Sequence, residues 1–163
     1  MISFHQLYES NAADVYRFAY WLAGNSPEAE DLTSETFIRA WVKHDSIRTE
    51  TLKAYLFTIA RNLYLEGLRN TPQQISLEDF YPDPNPNPEQ VVEVQSEIRS
   101  VQTFLQTLPE IDRTAFIMRV QHELPYAEIA RSLDISLSAA KVKVHRVRKK
   151  LITISISQEE VPK

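Results

Sequence analysis

Residues 126–151 read YAEIARSLDISLSAAKVKVHRVRKKL. The apolar spacing predicts a short helix from Tyr126 to Leu133. A tight turn follows at Asp134 and Ile135. Ser136 or Ser138 then starts a second helix that runs to about Leu151, since a Ser side chain satisfies an orphan N–H at a helix start. Two short helices joined by such a turn make a helix-turn-helix.

The second helix divides by face. At about 100° per residue, Ala140, Val144, Val147 and Leu151 fall in one narrow stripe, which is expected to bury. Ser138, Val142, His145, Arg146 and Lys149 fall opposite, flanked by Lys141, Lys143 and Arg148. Leu137–Leu151 holds six Lys or Arg and no Asp or Glu. A narrow apolar stripe under a cationic surface suits a helix that lies in a DNA major groove. A membrane-surface helix is the competing reading. Against it, the apolar face holds small residues and no Trp or Phe, so it would anchor weakly.

Composition removes several classes. The chain has 163 residues, no Cys and two Gly. Disulfides, thiol chemistry and a glycine-rich phosphate loop are therefore excluded. The four His (His5, His44, His122 and His145) show no paired metal-ligand spacing. No metal and no cofactor are expected. No apolar run is long enough to span a membrane, so no membrane insertion is expected. No basic segment followed by an apolar core begins the chain, so no signal peptide is expected. The fold is expected to be all-α.

Charge is uneven. Residues 71–97 carry six acidic and no basic groups, whereas residues 98–163 carry eleven basic and seven acidic ones. An acidic chain with one basic helix binds DNA poorly alone, because neutralised phosphates supply much of the affinity. A partner that holds the chain on DNA would solve this.

In chain order, Phe4, Leu7, Tyr8, Val15, Phe18, Ala19 and Leu22 mark a core-facing helix. Gly24-Asn25-Ser26-Pro27 ends it, with Ser26 and Pro27 suited to the next N-cap and first helical position. A helix over about 27–43 carries Asp31, Glu35 and Arg39 on one face, with Leu32, Phe37, Ala40 and Trp41 apolar. His44 to Thr51 reads as a loop. Leu52 to Arg69 is a helix with Leu52, Leu56, Ile59 and Leu63 at core spacing. Tyr55, Tyr64, Lys53, Arg61, Asn62 and Arg69 give it aromatic and cationic groups that suit unstacked bases and phosphates; Tyr55 and Tyr64 read equally well as half-buried core. The Pro-rich run YPDPNPNPEQ makes residues 71–97 a flexible acidic linker. A helix from about Gln90 or Val94 to Leu108 follows, then one over Glu110 to His122. Ile152 to Lys163 alternates apolar and polar residues with nothing to pair with, and reads as a frayed tail.

These pieces together resemble the extracytoplasmic-function (ECF) group of sigma-70-type bacterial RNA polymerase sigma factors. The resemblance covers nearly the whole chain. FHQLYESNAADVYRFAYWLAG, PEAEDLTSETFIRAWVK and LKAYLFTIARNLYLEGLR look like sigma region two. LQTLPEIDRTAFIMRVQHELPYAEIARSLDISLSAAKVKVHRVRKKL looks like region four. The implied architecture is two small helical domains, 1–70 and 98–152, joined by the linker 71–97 and followed by a tail, 153–163.

The resemblance implies a cytoplasmic, non-enzymatic specificity subunit. It would bind core RNA polymerase through Asp31, Glu35, Arg39 and Trp41, with Phe37 or Trp41 packing behind. It would read the −10 element as melted strand with Lys53, Arg61, Asn62 and Arg69, the loop 44–51 helping to open the duplex. It would read the −35 element as duplex through the helix-turn-helix at about 126–146, with Ser138, Lys141, Val142, Lys143, His145 and Arg146. The linker would thread the polymerase channel used by RNA. An anti-sigma factor, often membrane-anchored, is the further partner implied. Two positions depart from the family pattern: Asp134 stands where the turn often has Gly, and Val142 where a small polar residue is common. A left-handed Asp is tolerated better than most residues. Val142 suits a thymine methyl. Two other readings compete: a stand-alone helix-turn-helix regulator, and a helical enzyme built on Asp31 and Glu35, which lack any His or Cys nearby in sequence.

Overall fold

The computed structural model describes residues 3–43, 51–70 and 90–159, with the backbone alone described at 70, 90–96 and 155–159. The described residues form helices and no strand, as expected for an all-α chain. The loop 44–50 and the segment 71–89 lie outside the described residues.

The first half is a three-helix unit. α1 spans Phe4–Ala23 and opens with a capping box: Gln6 N–H donates to the Ser3 hydroxyl at 3.2 Å, and Ser3 N–H donates to Gln6 Oε1 at 3.0 Å. It ends at Gly24, left-handed at φ 91°, whose N–H donates to the Tyr20 carbonyl. α2 spans Ser26–Val42. Its cap is Asn25 rather than Ser26. Asn25 Oδ1 accepts from Glu28 N–H at 2.9 Å, while the Ser26 hydroxyl accepts from Tyr16 OH at 3.0 Å. α3 spans Leu52–Asn70.

Packing redraws the α3 core stripe. Leu56 is buried as expected, but Leu52, Ile59 and Leu63 are only half-buried. The deep positions are Phe57, Ala60 and Tyr64. Phe57 stacks on Phe18 of α1, with ring centroids 4.4 Å apart and planes 7° from parallel. At the rim, Phe4 meets Trp41 edge-on at 5.5 Å, and Tyr8 meets Phe37 at 5.0 Å. These contacts bind the start of α1 to the end of α2.

The second half begins with α4, Gln90–Gln106, at the earlier of the two expected starts. Leu105 is buried, whereas Ile98 is exposed, so α4 engages the core by its last turns. α5 spans Glu110–Phe116 and passes into a π-helical turn, Ile117–Gln121, where one continuous α-helix was expected. That turn closes where Leu124 N–H donates to the Met118 carbonyl at 3.1 Å. Arg119 fastens it to the next helix: its guanidinium donates to the Leu124 carbonyl at 3.1 Å and lies 4.3 Å from the Tyr126 ring centroid.

α6 spans Tyr126–Leu133 and α7 spans Leu137–Glu159. Asp134 takes the left-handed conformation at φ 55°, ψ 49°, as expected for the residue in the place of Gly. Ser136 is the cap, its hydroxyl accepting from Ala139 N–H at 3.0 Å. The expectation of a frayed tail after Ile152 is corrected, because the helix continues to Glu159. Extending a formed helix needs only propagation, not a new nucleus. The alternating Ile and Thr or Ser residues therefore follow the helix they are attached to.

The buried side chains of both halves form one continuous cluster. His122 joins them. It is 8% exposed and sits edge-on to Phe57 at 4.5 Å and to Phe18 at 6.2 Å. Gln106 reaches from α4 to donate to the Leu22 carbonyl at 3.1 Å, against Gly24, where a Cβ would come within 3.1 Å of the Gln106 amide.

Candidate nucleic-acid and polymerase interface

On α7, Ala140, Val144 and Val147 are fully buried and Leu151 half-buried, while Ser138, Lys141, Val142, His145 and Arg146 are exposed. Five of the six candidate −35 residues therefore share one solvent face. The sixth, Lys143, turns toward α5 and pairs with Asp112 at 3.1 Å, with the two side chains only 24% and 18% exposed. Its ammonium braces α7 against α5. The helical wheel places Lys143 beside the apolar stripe, so the sequence located its flank but not its partner.

The −10 candidates do not share a face. Taking Lys53 as 0°, Arg61 falls near 80°, Arg69 near 160° and Asn62 near 180°. Asn62 and Arg69 are exposed on the outer side of α3. Lys53 and Arg61 lie on its packed side, each half-buried. Lys53 pairs with Asp14 of α1 at 3.2 Å. Arg61 pairs with Glu110 of α5: its Nε donates to Oε1 at 2.6 Å and its Nη2 to Oε2 at 3.0 Å, with side chains 14% and 18% exposed. Two parallel donors from one guanidinium make this a strong and directional contact. Burial pushes the Glu110 carboxyl up. The hydrogen bonds from Arg61 and Thr114 and the charges of Arg61 and Arg113 outweigh it, so Glu110 titrates below the ordinary carboxylate range.

Tyr64 is core and not a stacking platform. It is 6% exposed, and its hydroxyl accepts from Arg113 Nη2 at 3.1 Å. Burial raises its pKa against the opposing charge of Arg113. Arg113 itself is buried and donates to the Leu105 and Leu108 carbonyls at 3.4 and 3.3 Å, satisfying the end of α4. Tyr55 is half-buried. It lines a shallow depression with Ile38, Val42, Ile59, Asn62 and Glu66, and Arg39 borders it.

On α2, Asp31, Glu35 and Arg39 are exposed, as their shared face requires. Arg39 pairs with Glu35 at 3.4 Å and with Glu66 of α3 at 3.5 Å. Exposed pairs of this spacing contribute about 0.3–0.5 kcal/mol, so the face is not locked. Phe37 packs behind it, fully buried, and Trp41 is half-buried. Sequence reasoning missed Glu66, Glu110, Asp112 and His122. Three are lone carboxylates and the fourth a lone His; none forms a motif until folding supplies its partner.

His122 carries a pH dependence. Its Nε2 is buried and has no hydrogen-bond partner among the described residues. Burial lowers its pKa to about 4; Asp14 of α1 opposes this, and Lys53 of α3 and Arg17 of α1 add to it. The folded chain therefore binds this proton less readily than the unfolded chain. Stability from the neutral ring is complete above the ordinary value of about 6.5 and declines as pH falls toward 4. The acid side of a melting-temperature profile should fall between pH 6.5 and 4 in the parent. H122L should flatten that interval while leaving the steeper loss below pH 4.5, where Glu110 titrates. An unchanged profile would remove His122 from this role.

Comparison with known proteins places these features. The Sigma-70 region 2 pattern matches residues 7–72 and the Sigma-70 region 4 pattern matches residues 98–151. The chain is 30% identical over 148 residues to the ECF RNA polymerase sigma factor SigM of Bacillus subtilis, covering 90% of this chain and 91% of SigM. The chain belongs to the ECF RNA polymerase sigma factors. These are alternative sigma factors acting in transcription initiation. It is also 34% identical over 157 residues to SigE of Mycolicibacterium smegmatis, covering 93% of this chain but 61% of SigE. Among solved structures, it is similar in fold to the sigma factor RpoE of Bartonella quintana, in a co-crystal with the anti-sigma factor NepR. The TM-score is 0.72 at 24% identity, covering 91% of this chain and 93% of that one. As an ECF sigma factor, this chain carries region 2 on α1–α3 and region 4 on α4–α7. No described helix is long and apolar enough to cross a membrane.

Proposed function

We propose that this sigma factor docks on core RNA polymerase by the exposed face of α2, opens and reads the −10 element with α3, and reads the −35 element as duplex with α7. It acts by positioning and has no catalytic centre of its own, and it works in the cytoplasm. The observation that carries this reading is the α7 surface: five candidate readers exposed on one face of a helix whose opposite stripe is buried, second in a capped helix-turn-helix. Arg and Lys there suit guanine O6 and N7, and the exposed Val142 suits a thymine methyl.

At −10, the depression bordered by Tyr55 and Asn62 supports base readout. An unstacked base held there would meet an aromatic ring and an amide able to bond its edge. On α2, Asp31 and Glu35 present acidic charge at low local cost, which favours fast association with a basic partner surface. The similarity to a sigma factor crystallised with an anti-sigma factor supports an anti-sigma partner for this chain, anchored to a membrane or not.

Run-off transcription with core polymerase tests the reading. Purified protein should start transcripts at one defined promoter, and should bind that duplex weakly without polymerase. D31K/E35K should weaken core binding at least tenfold while leaving the melting temperature near that of the parent. Tight specific duplex binding alone, with no transcript in the presence of core enzyme, would overturn it.

A further inference from the structure

The cations of α7 are not all offered to solvent. We propose that Asp112 of α5 withholds Lys143 from DNA phosphate, and so limits the hold of α7 on duplex that carries no promoter. The inference rests on the functional reading above, which places α7 on duplex DNA.

Residues 137–151 carry six Lys or Arg. Lys141, Arg146, Arg148, Lys149 and Lys150 are exposed, and none of these five forms an ion pair among the described residues. Lys143 departs from them. Its Nζ donates to Asp112 Oδ1 at 3.1 Å, with the two side chains only 24% and 18% exposed. The pair adds to a helix that is already anchored by Ala140, Val144 and Val147, all fully buried. A partly buried ion pair is weak evidence for stability, because apolar residues of like volume often do as well in its place. What an apolar pair could not do is set a carboxylate against one chosen cation of α7.

The choice of cation follows from groove geometry. A helix with its side chains is about 10–12 Å across, and the major groove is about 12 Å wide. The flanks of a helix seated there therefore face the two phosphate backbones. Lys143 stands on such a flank, beside the apolar stripe. Its flexible stem would carry the ammonium out to a phosphate once Asp112 no longer held it. Phosphate contacts carry no sequence information, so one more of them would tighten promoter and non-promoter duplex alike. Each neutralised phosphate steepens the fall of log affinity with log salt by about 0.9, which is about eightfold in affinity at ~0.1 M salt. Non-promoter sites outnumber promoters by orders of magnitude. That gain would draw the free chain onto bulk DNA and away from core polymerase.

Fluorescence anisotropy of a labelled duplex of random sequence, titrated with the full chain over a series of salt concentrations, tests this. D112N keeps the side-chain shape and removes the charge. It should bind about eightfold tighter at ~0.1 M salt, with a salt slope steeper by about 0.9. D112S, which removes the same charge, should do likewise. D112N/K143Q should return to the parent slope. E123Q takes an exposed acidic charge from the same half without freeing a cation, and should leave the slope as it is. Circular dichroism confirms that each variant keeps its helices. A merely structural Asp112 would lower the melting temperature without steepening the slope. An unchanged slope in D112N and D112S, a gain that survives in D112N/K143Q, or an equal gain in E123Q would each overturn the withholding. At limiting amounts of the chain, added random duplex should suppress promoter-specific transcripts of D112N more strongly than those of the parent. Equal suppression would overturn the consequence for initiation. If the parent gives no promoter-specific transcript, the functional reading fails, while the salt slopes still decide whether Asp112 keeps Lys143 from phosphate.

Discussion

K141A/R146A should reduce initiation at a −35-dependent promoter about a hundredfold, with core polymerase binding unchanged. Each cation that meets a base edge contributes about 1–3 kcal/mol of discrimination, so two together reach that range. Both are exposed, and neither forms an ion pair among the described residues. Ala keeps the helix, since it has the highest helix propensity. The comparison variant is K143A. Lys143 is tied to Asp112, so its loss should loosen α5 against α7 and lower stability more than it weakens promoter use. Run-off assays on matched promoters with intact and scrambled −35 elements check both. If K141A/R146A lost as much activity on the scrambled promoter as on the intact one, the two cations would not be reading that element.

F18A should destabilise the protein by about 3–5 kcal/mol, the usual range for removing a fully buried ring. For a chain of this size that lowers the melting temperature by about 10–15 °C. Phe18 has no exposed surface, stacks on Phe57 at 4.4 Å and supports the edge of His122. The loss therefore falls on region 2 and on its contact with region 4 together. Y16F removes only the hydrogen bond from an exposed hydroxyl to Ser26 and should stay within about 1 kcal/mol of the parent. Calorimetry of the two variants beside the parent decides this. A shift below about 2 °C for F18A would mean that the Phe18–Phe57 stack is not the centre of the fold.

Local patterns in the sequence were legible where one helix carried all the information. The α7 stripe of Ala140, Val144 and Val147 buries as its spacing requires, and the opposite face stays in solvent. Asp134 turns left-handed, and Ser136 caps, because both effects act within four residues. The shared face of Asp31, Glu35 and Arg39 follows from helical periodicity alone. Failures came where two neighbours competed. Ser26 lost the cap to Asn25 because Tyr16, ten residues away, engages its hydroxyl. Of the stripe Leu52, Leu56, Ile59 and Leu63, only Leu56 is fully buried, and the other three yield the deep positions to Phe57, Ala60 and Tyr64 because α3 packs against α1 on one side and region 4 on the other. The alternation of Ile152 to Ser157 read as a tail because periodicity cannot report that a helix already runs into it.

The sequence by itself determined the helices, the helix-turn-helix, the cationic face and the family. Each depends on spacing along one chain segment, and spacing is what a sequence records. Only the tertiary structure decided the fate of individual charges. Lys141 and Arg146 are left open to solvent, Lys143 is given to Asp112, Lys53 to Asp14 and Arg61 to Glu110. The six cations of 137–151 first read as one DNA-facing set. The fold divides them, because a long cationic side chain at the edge of an apolar stripe pairs with whatever carboxylate packing brings within reach.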